Sequence, residues 1–203
     1  MCAGLPGTGR SVHTSIMEAV QNTVLLSVDD YLDGERYSEV RHEYLGGVVY
    51  AMAGGSREHN TLAGNLFVSL RSHLRGKSCQ VFFADVKVRL QIGDEDIFYY
   101  PDVMVTCDPR DTDRYSSRFP KVVIEVLSPE TERTDRREKF LSYTRLDSLE
   151  EYILVAQDKM EVTVFRRNGH WKPELLNNGE QQLRLASLDF VLPLSIIYEG
   201  VKV

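Results

Sequence analysis

A mixed α/β fold is predicted from three features of this 203-residue sequence. Its core is a mixed β-sheet flanked by helices, entered through an N-terminal hairpin. Short β-prone runs come first, a helix interrupts them, and further strands follow. The run Lys121–Leu127, KVVIEVL, is apolar except at its first residue and Glu125, which suits a strand covered on both faces. Ser56 to Leu74 place Leu62, Leu66, Phe67, Leu70 and Leu74 on one helical face.

The elements follow in order. Residues 1–23 are rich in Gly, Ser and Thr with little periodicity, so a loose tail is expected ahead of a single domain over 24–203. Within that tail Gly4 to Ser11 reads GLPGTGRS, close to a phosphate loop. Arg10 stands where lysine belongs and no buried strand precedes it, so nucleotide binding is not assigned. Ser27-Val-Asp-Asp30 starts a short helix through Leu32. Arg41–Tyr44 and Val48–Met52 flank Leu45-Gly-Gly47, a hairpin pattern. After the Ser56–Leu74 helix come β-rich runs at Gln80–Phe83, Val86–Leu90, Ile97–Cys107 and Lys121–Leu127. Ser128-Pro129 ends the last. A charge-rich stretch from Thr131 leads into a helix with Phe140, Leu141 and Leu146 as its apolar positions. Strands at Tyr152–Val155 and Val162–Arg167 complete the pattern.

Composition narrows the function. Hydrophobic residues make up 42% and charged residues 27%, enough apolar surface to offset chain entropy. A net charge of −6 argues against a protein that coats nucleic acid by charge alone. No apolar run approaches the roughly 18 residues of a membrane span, so no membrane partner is expected. Cys2, Cys79 and Cys107 are odd in number and include no C-x-x-C pair. They fit neither a disulfide framework nor a zinc site, and a reducing, cytoplasmic setting is expected.

Two acids carry the chemistry. Asp102 follows Pro101 at a kink in an apolar stretch, and Glu125 lies in the most buried-looking strand. A charge so placed is costly unless it is paired or bound to a metal. Two facing carboxylates would raise one another's pKa, a conflict that a divalent cation removes. Hard oxygen ligands suit Mg²⁺ or Mn²⁺. The alternative is that Glu125 pairs with a buried Arg or Lys while Asp102 caps a turn.

Tyr100-Pro-Asp-Val, Lys121-Val-Val-Ile-Glu-Val-Leu-Ser-Pro129 and Asp135-Arg-Arg-Glu-Lys139-Phe together resemble the Uma-two family. That family is classed with the endonucleases of the PD-(D/E)xK restriction-endonuclease-like superfamily. Upstream the resemblance takes in Arg41-His-Glu-Tyr44, Gly47–Met52 and His59; downstream it takes in Ser148–Tyr152 and the following strand. It spans about residues 24 to 198. The resemblance implies that Asp102 and Glu125 are the signature acids and that the Val126 carbonyl is a third metal ligand. Glu43 then matches an additional acid of the site.

The signature lysine is missing. Leu127 stands two residues after Glu125, on the same strand face. By the resemblance, Lys139 from the following helix takes its place. The rivals are Lys121, at the start of the strand, and Lys87, which reads as part of a solvated edge. His59 begins the long helix, where the dipole favours a neutral ring. It either bonds a site carboxylate or substrate phosphate, or simply packs against the sheet. His42, His73 and His170 show no ligand spacing.

Residues 133–145 hold Arg133, Arg136, Arg137, Lys139 and Arg145 against Asp135 and Glu138, a local charge of +3. Arg133, Arg136 and Arg137 are candidate phosphate contacts, or else members of a solvated helix face. Tyr99, Tyr100, Tyr115 and Tyr143 are candidate base-stacking residues or ordinary core and rim tyrosines. The function expected is a Mg²⁺- or Mn²⁺-dependent endonuclease acting on nucleic acid, DNA first, as a homodimer by analogy. The alternatives are an inactive interaction module, suggested by Leu127, and a hydrolase of a small phosphorylated substrate.

Overall fold

Ser27 opens the first helix: its hydroxyl accepts from the Asp30 N–H at 3.1 Å, which satisfies one of the helix's otherwise unpaired N–H groups. In this computed structural model, which describes residues 25–129 and 131–203, helix α1 (Val28–Glu35) runs one turn beyond the expected Leu32. The 1–23 tail and its GLPGTGRS stretch lie outside the described residues. Strands β1 (His42–Leu45) and β2 (Val48–Ala51) form the expected hairpin. Gly46 and Gly47 make its turn at φ +54° and +100°, backbone that side-chain-bearing residues resist. Helix α2 (Arg57–His73) is capped by Ser56 and buries Leu62, Leu66 and Leu70.

Strands β3 (Gln80–Phe83), β4 (Lys87–Ile92), β5 (Glu95–Tyr99) and β6 (Val103–Thr106) follow. The sequence read as one run from Ile97 to Cys107 is thus two strands in different sheets. Tyr100-Pro101-Asp102 carries the chain from one to the other, and Pro101 has no N–H with which to continue a ladder. Then come β7 (Ser116–Ser117), β8 (Pro120–Leu127) and a helical segment in three parts. These are α3 (Glu132–Thr134), a π-helical turn (Asp135–Lys139) and α4 (Phe140–Tyr143). Strands β9 (Glu151–Ala156) and β10 (Val162–Arg166) match expectation. Strands β11 (Pro173–Leu176), β12 (Gln182–Leu185), β13 (Phe190–Pro193) and helix α5 (Leu194–Ile197) were not foreseen.

The five-stranded sheet is ordered β2-β1-β5-β4-β7 and the six-stranded sheet β11-β10-β9-β8-β6-β3, with β12–β13 as a separate pair. Both larger sheets are mixed, since β4–β7 and β8–β9 run parallel while their other pairs are antiparallel. The expectation of mixed β-structure flanked by helices holds, divided between two sheets.

Strand β8 is buried on both faces, and its alternation sorts the core. Val122, Ile124 and Val126 pack with the α2 leucines. Val123 and Leu127 pack on the other side with Tyr99, Tyr143 and Tyr152. Glu125 shares that second face by alternation. Leu141, one of the expected apolar positions, is 63% exposed, while Tyr143 is fully buried.

Cys79 and Cys107 form a disulfide, against the expectation of free thiols. The cause is register. Gln80 pairs with Thr106 across β3 and β6, so the flanking cysteines become cross-strand neighbours with Cα atoms 4.1 Å apart. A count of cysteines cannot show this, and the argument for a reducing compartment loses its premise.

Candidate active site

The break between the two sheets places Asp102 beside β8. Asp102 and Glu125 are tied together by two backbone donors. The Asp102 N–H donates to Glu125 Oε2 at 3.2 Å, and the Val126 N–H donates to Asp102 Oδ2 at 2.7 Å. Pairing of Val103 with Ile124 across β6 and β8 sets this juxtaposition. Tyr143 closes the other side of Glu125, donating its hydroxyl to Oε1 at 3.2 Å.

Lys139 is delivered from the π-helical turn. Its Nζ lies 2.8 Å from Glu43, 3.2 Å from Asp135 and 3.6 Å from Glu125, and 5.5 Å from the centre of the Tyr99 ring. Burial works against its charge, but Glu125, Glu43 and Asp135 outweigh it and hold its pKa well above the ordinary lysine value. Burial pushes Glu125 well above the usual carboxylate range. Lys139 opposes that rise, while Asp135, Asp102 and Glu43 add to it.

The rival lysines lie elsewhere. Lys121 is half-buried at the outer end of β8, about 13 Å of strand from Glu125. Lys87 was expected on a solvated edge; it is instead buried, donating to the Tyr100 hydroxyl at 3.1 Å. Tyr100 in turn donates to Glu35 Oε2 at 2.6 Å, and Glu35 Oε1 meets His42 Nδ1 at 2.7 Å. This chain braces α1 and the hairpin against the Tyr100-Pro-Asp break. It escaped the sequence because its members are far apart in the chain.

His59 Nε2 lies 3.2 Å from Asp102 Oδ2. The helix start argues for a neutral ring, and the carboxylate facing it argues the other way. Burial lowers its pKa, but the hydrogen bond and charge of Asp102, with the Val126 carbonyl, outweigh burial and raise it. The sequence showed the helix end but not the carboxylate facing it.

The structure therefore brings together Glu43, Asp102, Glu125, Val126, Lys139 and His59. Arg133 and Arg137 are exposed on the same helical segment. Arg136 is committed to Glu132 at 2.8 Å and Glu161 at 3.5 Å, so it is poorly placed for phosphate. Tyr99, Tyr100 and Tyr143 are buried and cannot stack on a base; Tyr115 is exposed. Asp135 and Tyr143 join this cluster although sequence reasoning does not single them out as site residues. The signal was available: Asp135, Lys139 and Tyr143 recur at i, i+4, i+8. The π turn spans Asp135–Lys139, a kind of turn frequent at functional sites.

The donor types suit a hard divalent cation. Glu43, Asp102, Glu125 and Asp135 outnumber Lys139 and His59 four to two in this cluster. The donors are carboxylate and carbonyl oxygens. Among the described residues, no three side chains of His, Cys, Asp or Glu converge as a cage. Asp102, Glu125 and the Val126 carbonyl would hold the ion, with water or substrate oxygens completing its shell.

The fold is shared with a solved α/β protein. A crystal structure described as "a putative nuclease belonging to DUF820" from Anabaena variabilis aligns with a TM-score of 0.71 at 17% identity. The match covers 86% of this chain and 98% of that one. The chain belongs to the Uma2 family, described as "Putative restriction endonuclease", whose model matches residues 28–195. Two uncharacterised proteins of Synechocystis sp. are similar. One is 37% identical over 87% of this chain and 93% of its own length; the other is 31% identical over 75% and 87%. No described helix is long and apolar enough to cross a membrane.

Proposed function

We propose that this chain is a Mg²⁺- or Mn²⁺-dependent endonuclease that hydrolyses phosphodiester bonds in nucleic acid, with DNA as the substrate. The observation that carries the reading is Lys139 Nζ, 3.6 Å from Glu125 and 2.8 Å from Glu43. A helix lysine thus supplies the ammonium that Leu127, buried in the apolar cluster, cannot. An inactive interaction module predicts that Lys139 points away from Glu125 and that no metal binds; the 3.6 Å Lys139–Glu125 distance favours the nuclease reading on the first count.

The bound ion would polarise the phosphate and lower the pKa of attacking water. The chain's own groups do the rest. Asp102 and Glu125 hold their carboxylates fixed through the backbone donors of the neighbouring strand. Lys139 sets an ammonium where charge develops on phosphoryl oxygens. Glu43 and Asp135 hold that ammonium in place, and His59 orients Asp102. Arg133 and Arg137 offer phosphate contacts outside the site. A homodimer would place two such sites on opposite strands; sedimentation in the presence of DNA checks it.

The test is nicking of supercoiled DNA with Mg²⁺ or Mn²⁺. Wild type is expected to nick and an Asp102→Ala/Glu125→Ala variant to be silent; equal nicking by both sinks the proposal. Activity on mononucleotides with none on polynucleotide would favour a small phosphorylated substrate instead.

A further inference from the structure

The acid cluster has one rim built from continuous chain. At one end, Tyr50 pairs with Glu43 across the β1–β2 hairpin. Directly paired residues of an antiparallel ladder share a face with Cβ atoms about 5 Å apart. Glu43 uses that face to reach Lys139, so Tyr50 stands on the site's side of the hairpin. At the other end, His59 meets Asp102. The chain between joins these two ends, and residues 53–58 are all exposed.

Three properties of this rim point to a ligand. Tyr50 is 53% exposed, a broad aromatic ring on an edge strand beside the carboxylates. Gly54 and Gly55, midway along the intervening path, carry no side chain. Arg57 is an exposed cation on the first turn of α2, two residues before His59. An aromatic face and a cation flanking a phosphate-cleaving cluster match a nucleotide's base and phosphate. A base can stack on a side chain only when it is free of its own helical stack.

We propose that the Tyr50–Arg57 rim binds an unpaired nucleotide next to the scissile phosphate. Tyr50 stacks on its base and Arg57 contacts its phosphate. The substrate is therefore a single strand, or a duplex that already carries an unpaired nucleotide at the cut. This rests on the nuclease reading above.

The experiment uses a single-stranded oligonucleotide carrying 2-aminopurine, with Ca²⁺ as the divalent ion, and reads fluorescence quenching and anisotropy. Quenching by wild type is expected to persist in Tyr50→Phe and Tyr50→Trp. Tyr50→Ala should lose it and weaken binding about 5- to 150-fold, the span reported for one stacked base. Arg57→Ala should lower the slope of log affinity against log salt by about 0.7, one phosphate contact on a single strand. Blunt duplex binding should be indifferent to Tyr50→Ala. Unchanged single-strand binding by Tyr50→Ala, equal loss on duplex, or a change confined to self-association in sedimentation overturns the inference. If wild type neither binds nor cleaves any nucleic acid, the nuclease reading itself fails. A cleaving wild type with an indifferent Tyr50→Ala sinks only the rim.

Discussion

Lys139 Nζ lies 2.8 Å from Glu43, joining a helix that follows β8 to a hairpin nearly a hundred residues earlier in the chain. The same ammonium reaches Asp135 and Glu125, so one cation holds three carboxylates in a buried space. Attraction inside such a space is strong, but so is the cost of leaving any member unpaired.

Replacing Lys139 tests that balance. Lys139→Met removes the charge and keeps most of the volume, leaving buried carboxylates to repel. Stability should fall by about 3–5 kcal/mol, as when one partner of a buried ion pair is lost. Cleavage should fall at least about 100-fold, the scale for one lost electrostatic donor. Urea unfolding and nicking rates report the two effects. A variant as stable and as active as wild type refutes the role given to Lys139.

Gly55 is a subtler probe. A Cβ built there would meet His59 Nδ1 at 2.9 Å, closer than real contacts allow. Gly55→Ala should turn the ring away from Asp102 and slow cleavage about tenfold with little change in unfolding midpoint, since small misplacements in a site are expensive. Because one ring mediates the effect, Gly55→Ala/His59→Ala should be no slower than His59→Ala alone. Additive losses would show that the glycine acts some other way.

The Lys87–Tyr100–Glu35–His42 chain predicts a structural penalty felt at the site. Tyr100→Phe deletes a hydroxyl that both donates to Glu35 and accepts from Lys87. Stranding those buried groups should cost about 1–3 kcal/mol. Tyr100 is two residues from Asp102, so the cleavage rate should fall as well. An unchanged denaturation midpoint would mean that the brace bears no load.

Alkaline pH should unfold the protein through its buried tyrosines. Burial pushes Tyr198 up to about 12; the hydrogen bond from the Glu161 backbone opposes the rise, and the charges of Glu161 and Asp158 add to it. Tyr31, Tyr99, Tyr100, Tyr143 and Tyr152 are also raised, chiefly by burial. A raised folded-state value means that the unfolded chain ionises first. The stabilisation is therefore complete below the ordinary value of 10.0 and is lost as pH climbs toward the folded-state values. Tyr198 alone should account for about 2–3 kcal/mol across that window. Tyrosinate absorbance should appear together with loss of helical circular dichroism. Gradual ionisation with the fold intact would contradict this, as would a Tyr198→Phe variant with the same alkaline profile.

Much of the fold was legible because local chemistry wrote it. The Ser27 and Ser56 caps, the Gly46-Gly47 turn and the leucines of α2 are decided within a few residues of themselves. The Lys121–Leu127 run announced a strand buried on both faces because no alternation broke it. The strands after Arg166 were missed. Their short runs, such as Gln182–Leu185, carry weak patterns and gain their stability from pairing partners. The break at Pro101 was visible as a kink, but nothing nearby showed that it moves the chain between sheets.

The candidate site divides along the same line. Residue types and order singled out Asp102 and Glu125 as acids out of place in apolar sequence, and alternation alone put Leu127 on the face of Glu125. The resemblance pointed to Lys139, but residue chemistry could not separate it from Lys87 and Lys121; packing brings Lys139 to the acids. The tertiary structure carries Lys139 to the acids, buries Lys87 against Tyr100 and leaves Lys121 at the end of its strand. It likewise turned His59 toward Asp102, joined Cys79 to Cys107 and put Tyr50 beside Glu43. Periodicity and capping act within a few residues and can be read from the chain. Charge pairing, disulfide bonding and pKa depend on distances that exist only once β6, β8, the hairpin and the helix after β8 have closed on one another.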